Sequence, residues 1–152
     1  MSGKTRVGVL GLSHDHVWDN VRTLVERHDV ELVGAAEPRE ELRQKFLAEF
    51  EIDAVADHET LLAEKELDAV YVFSSNAEGA CLVVSAAERG LHVLVEKPMA
   101  ASLAQADAML AAARQNNVRL MVNWPFAWWP QLQHALKLAD EGVIGDLWQV
   151  KY

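Results

Sequence analysis

The chain has 152 residues, which suits a single domain, and 51% of them are hydrophobic, ample material for a core. Fourteen Lys and Arg against 23 Asp and Glu leave a net charge of −9, which excludes the basic face a nucleic-acid binder needs. No apolar run approaches the roughly 18 residues of a membrane span, residues 1–6 show no secretory pattern, and the lone Cys81 cannot close an intrachain disulfide, so a cytoplasmic setting is expected.

In chain order, short β-branched runs alternate with longer helical patterns, as in a parallel α/β sheet. Residues 5–12 (TRVGVLGL) predict a strand ending at Gly11. A helix over 15–27 follows, with Val17, Val21, Leu24 and Val25 at helical spacing. Residues 30–36 (VELVGAA) predict a second strand closed by Glu37-Pro38. Next comes a helix over 39–49, with Leu42, Phe46 and Leu47 on one face. A short strand at 54–56 and a short helix at 59–64 precede the continuously apolar 69–73 (AVYVF), which reads as a strand covered on both faces. Ser74-Ser75-Asn76 turns it into a helix over 78–89 that Gly90 stops. A fifth strand at 92–95 ends in Glu96-Lys97-Pro98. Ser102 then caps an Ala-rich helix to about Gln115, and 118–122 is a sixth strand. The expected fold is a doubly wound parallel sheet over residues 1–123.

Residues 124–152 break this pattern. An aromatic loop (WPFAWWP) leads to a hinge helix over 131–141, capped by Gly142, and 147–152 (LWQVKY) alternates like a half-buried strand. No later segment is there to pair with it. Residues 124–152 are therefore expected to be a hinge helix and one orphan strand, the first of a missing second domain.

Three motifs carry chemistry. The first strand-to-helix turn, Gly11-Leu12-Ser13-His14-Asp15-His16, stands where dinucleotide-binding folds place G-x-G-x-x-G. Gly11 is kept, and Ser13 and His16 replace the other two glycines. The turn either holds a pyrophosphate on its N–H groups or is an ordinary tight connection. His16 is expected to crowd the helix–strand contact. Glu37 lies 37 − 11 = 26 residues on, near the roughly 20 expected for the acid that accepts the ribose hydroxyls. That carboxylate favours NAD over NADP, whereas Arg39 either pairs with a phosphate or stacks on adenine. Glu96-Lys97-Pro98 closes a buried strand at the edge where open α/β sheets bind ligands. An ammonium there can bond a substrate hydroxyl and steady a developing alkoxide.

Residues 88–98 (ERGLHVLVEKP) resemble the "aGkhVlvEKP" signature of the glucose–fructose oxidoreductase/inositol dehydrogenase (Gfo/Idh/MocA) family. Asn123 and the Gly142-Val143-Ile144-Gly145-Asp146-Leu147 turn are similar to family features as well. The resemblance implies a Rossmann domain binding NAD or NADP. It implies Lys97 as the catalytic, substrate-positioning lysine and Glu96 beside it near the nicotinamide. Gly11, Leu12, Ser13, His14, Glu37, Arg39, Ser74, Ser75, Asn76, Glu96 and Asn123 are the expected cofactor-binding residues. It further implies hydride transfer to or from a C–O carbon of a sugar, cyclitol or similar polyol, in a homo-oligomer. The acid/base His and an Asp belong to a second domain beyond Tyr152, so the chain alone is expected to be inactive. Two departures stand out. Ser74-Ser75-Asn76 replaces T-P-N, and Gly79 replaces the His that aligns there. Gly79, with Ser13 and His16, favours the alternative of a non-catalytic nucleotide-binding protein.

Two decoys remain. Residues 2–5 (SGKT) imitate a P-loop tail, but a strand rather than a helix follows. His14-x-His16 imitates a metal pair, yet a catalytic zinc needs three protein ligands, and the spacing of His28, His58, His92 and His134 brings none near. No metal is expected. Four of the five tryptophans (124, 128, 129 and 148) form a surface suited to a partner domain or subunit. Self-association through it is expected, read by sedimentation. Cys81 is expected to be buried.

Overall fold

The structure, a computed structural model, describes residues 3–64 and 66–151. Among these, six strands form one sheet: β1 (Thr5–Leu10), β2 (Val30–Ala36), β3 (Ala54–Val55), β4 (Ala69–Val72), β5 (His92–Glu96) and β6 (Leu120–Asn123). Every pairing is parallel, in the order β3-β2-β1-β4-β5-β6. The crossovers are α1 (His16–Val25), α2 (Glu40–Phe50), α3 (His58–Glu64), α4 (Asn76–Glu88) and α5 (Leu103–Gln115). This is the doubly wound Rossmann arrangement.

Side-chain alternation along each strand explains the two layers. Val9, Ala35 and Phe73 face one side, where they pack with Val17, Trp18 and Val21 of α1 and Phe46 of α2. Their neighbours Leu10, Ala36 and Val72 face the other, against Leu61 of α3, Val83 of α4 and Met109 of α5. Burying each such chain stabilises the fold by about 1.5–3 kcal/mol, and both faces are covered, which is why the central strands read as unbroken apolar runs. The chain reverses its direction of winding between β1 and β4, so the crevice at their carboxyl ends is the place this topology offers a ligand.

Beyond β6, a 3₁₀ turn (Pro125–Trp128) leads into α6 (Pro130–Asp140), neither with a buried residue. Trp124, Phe126, Trp128 and Trp129 are all about half exposed. Two expectations need correction. Residues 147–151 form no strand, because a ladder requires a partner strand and none lies beside them among the described residues; Tyr152 lies outside the described residues. Cys81 is exposed, since it falls on the outer face of α4 while Ala80 and Val83 take the inner one. Ser2 of the P-loop decoy also lies outside the described residues, and Thr5 opens a strand. No described helix is long and apolar enough to cross a membrane.

Candidate functional site

The glycine turn is built against β4's exit. Gly11 has φ +85°, and a Cβ on it would fall 2.6 Å from the Ser74 backbone. Only glycine meets both demands. The close approach brings the β1 and β4 ends together into a cleft of about 360 Å³, lined by Gly11, Ser13, Glu37, Arg39, Ser74 and Ser75 among others. Six of the expected cofactor residues therefore share one concavity. A second recess continues it past Ser74 and Asn76 to Glu96 and Pro98.

Glu37, 3% exposed, is the polar centre of the cleft. Its Oε2 accepts the Leu12 N–H at 2.7 Å, and its Oε1 accepts the Arg39 N–H at 3.1 Å and Nε–H at 2.8 Å. Arg43 donates Nη1–H to the Glu37 and Pro38 carbonyls at 2.8 and 2.6 Å, bracing the strand end. Burial pushes the Glu37 carboxyl up. The Arg39 side-chain bond, the Leu12 and Arg39 amides and the Arg39 charge outweigh that and hold it below its ordinary 4.5. Such a depressed group adds stability that is complete above the unfolded value and lost as pH falls through the folded one. Glu37→Gln is therefore expected to destabilise the protein at neutral pH by about 1–3 kcal/mol. The gap to wild type should narrow below about pH 4.5, and urea midpoints measured against pH will check it.

Leu12 ties the turn to the end of β2. Its amide is spent on Glu37, whereas those of Ser13 and His14 donate to nothing among the described residues and stand ahead of α1. Ser13 Oγ donates to the Phe73 carbonyl at 3.3 Å, tying the turn to β4. Ser75 caps α4, accepting the Glu78 N–H and donating to its carboxylate at 2.8 Å, so its hydroxyl is already engaged. Asn76 opens the same helix.

At the far end, β5 and β6 finish side by side with Glu96 opposite Asn123. Glu96 is 5% exposed. Asn123 Nδ2 donates to its Oε2 at 2.7 Å, and His16 Nδ1 lies 3.0 Å from its Oε1. His16 thus does not crowd the helix–strand contact; it opens α1 with its ring turned to the end of β5. This also corrects the expectation that no third ligand approaches the His pair: His14, His16 and Glu96 place ligand atoms within 4.8 Å of one another. Eighty residues separate Glu96 from His16, and no spacing rule spans that distance. Lys97 follows, half-buried, with a cis bond to Pro98, and its ammonium has no hydrogen bond or ion pair among the described residues.

A parallel sheet in this strand order, with a glycine turn against its switch point and a buried acid after β2, defines an NAD-binding Rossmann domain. The chain belongs to the Gfo/Idh/MocA oxidoreductase family, whose NAD-binding Rossmann-fold profile matches residues 5–124. It is 33% identical over 143 residues to dTDP-3,4-didehydro-2,6-dideoxy-α-D-glucose 3-reductase of Actinomadura kijaniata, across 93% of this chain and 43% of that protein. With D-apiose dehydrogenase of Paraburkholderia graminis it shares 29% identity, across 91% and 36%. The crystal structure of KijD10, a 3-ketoreductase from Actinomadura kijaniata in complex with TDP-benzene and NADP, superposes with TM-score 0.82 at 32% identity, covering 95% of this chain and 46% of that one. The chain spans less than half the length of these relatives.

Proposed function

We propose that the chain is the nucleotide-binding half of an NAD(P)-dependent oxidoreductase that interconverts an alcohol and a carbonyl on a sugar, cyclitol or related polyol. One observation supports this most strongly: the Gly11 turn, buried Glu37 and the Glu96–Lys97 strand end share one rim around the topological switch point. The residues fit a dinucleotide, since the cradle at Gly11 is one that a single Cβ would close. The free Ser13 and His14 amides take the diphosphate, aided by the N-terminus of α1. Glu37 accepts a ribose hydroxyl with its remaining lone pair, and its ionised form disfavours a 2′-phosphate. Arg39 works in the opposite sense, neutralising Glu37 or turning to a phosphate. The nicotinamide supplies hydride transfer when bound. Lys97 holds the reacting oxygen and stabilises its negative charge as the alkoxide develops. The reading also places a partner domain or second copy on the exposed aromatic surface of residues 124–129, and assigns the chain alone no turnover because proton transfer needs a residue outside it.

Fluorescence titration with NADH and NADPH tests the binding claim. Dissociation constants below about 1 mM are expected. Arg39→Ala should weaken NADPH relative to NADH by about tenfold or more, through loss of a charge-assisted contact. Millimolar or weaker binding of both would instead support a non-catalytic protein of the same fold.

A further inference from the structure

We propose that His14, His16 and Glu96 bind a divalent transition-metal ion, with Zn²⁺ the best match to an N,N,O donor set. The inference does not depend on the dinucleotide reading. The two histidines flank Asp15 at the entry to α1, and Glu96 arrives from the end of β5, 80 residues on, so the sheet assembles a triad that the sequence does not display.

Geometry is close to what an ion needs. Bonds of about 2.0–2.2 Å in a tetrahedron put neighbouring donors roughly 3.3–3.5 Å apart. The His16 Nδ1 to Glu96 Oε1 separation is 3.0 Å, and all three donors lie within 4.8 Å. Small rotations of the partly buried imidazole rings close the difference, and His16, with its side chain 41% exposed, has room to make one.

Electrostatics supplies an independent reason. Glu96 is buried, yet among the described residues no Lys or Arg pairs with it, and its partners are a neutral amide and an imidazole. Buried carboxylates are normally matched by a cation or a metal. Asn123 fixes Oε2 and leaves Oε1 for the ion, the outer support that metal-bound carboxylates typically have. Two costs oppose binding: the His16 N–H to His14 Nδ1 hydrogen bond at 3.2 Å is disturbed, and the helix N-terminus repels a cation. The buried carboxylate offsets the second. Three protein ligands leave a fourth position for water or a substrate oxygen, as catalytic zinc sites do.

The test uses tag-free protein, stripped with EDTA, reloaded with Zn²⁺ and desalted before elemental analysis, without nucleotide. One equivalent of zinc is expected, and Co²⁺ in its place should give the visible absorption of a four-coordinate site. His16→Ala and Glu96→Gln should each abolish retention, and Asn123→Ala should weaken it by about 10–100-fold. His134→Ala, outside the cluster, should leave the stoichiometry unchanged. Circular dichroism confirms that each variant is folded, and Glu96→Gln keeps the side chain's shape. No retained zinc, or zinc that survives His16→Ala, overturns the proposal. NADH titration of the stripped protein reports on the dinucleotide reading separately.

Discussion

Lys97→Ala is expected to lower turnover by on the order of 10²–10³-fold, the usual cost of removing one donor to a developing oxyanion. NADH affinity should stay within about twofold, because the lysine acts on the reacting oxygen and not on the dinucleotide. The placement behind this is specific. Lys97 directly follows a strand whose last residue, Glu96, is anchored by Asn123 and His16, so the lysine backbone starts from a fixed point. Its ammonium has no protein partner among the described residues that substrate would need to displace. Kinetics with keto sugars and polyols, on protein that includes the substrate-binding half, would be paired with calorimetry of NADH binding. Equal loss in both would mark the lysine as structural. Lys97→Arg retains the charge but not a proton that can be given up, so partial activity there would assign electrostatic stabilisation over proton exchange.

Gly11→Ala should have the largest effect on the cradle itself. The left-handed φ alone costs about 1–2 kcal/mol for a residue with a Cβ. The new atom would also meet the Ser74 backbone at 2.6 Å, where neither partner is a flexible side-chain end. A loss of at least about 2–3 kcal/mol is expected, seen as a melting point lower by roughly 5 °C or more for a domain of this size. Forcing β1 and β4 apart also widens the turn that presents the Ser13 and His14 amides, so NADH binding should fall with stability. A folded Gly11→Ala protein that binds NADH as wild type does would show that the close approach is not needed.

Strand positions were legible because the parts of central strands covered on both faces must be apolar, as 7–10 and 69–72 are. Gly11, Glu37 and the Glu96–Lys97 pair were legible because the topology gives the carboxyl ends of β1, β2 and β5 to the ligand. Contacts between distant segments were not. That Glu37 consumes the Leu12 amide, or that His16 meets Glu96, depends on how two strand ends and a helix start converge, which no local pattern encodes. The alternation in 147–152 predicted a strand, yet alternation records only which side chains favour burial. Among the described residues no neighbouring strand gives that backbone a ladder to join. Cys81 was misplaced for a similar reason: α4 is small and apolar on most of its surface, so its sequence does not mark which side meets the sheet.

On the proposed reading, one rim of this sheet carries both the dinucleotide cradle and the reactive lysine. A crystal structure of the protein soaked with NADH tests it most directly. The prediction is a diphosphate on the Ser13 and His14 amides, a ribose at Glu37, and the nicotinamide toward the β5 end at Glu96, with the Lys97 ammonium beside it. Nucleotide bound elsewhere on the domain, or a Lys97 side chain extended into solvent away from the occupied cleft, would contradict the account.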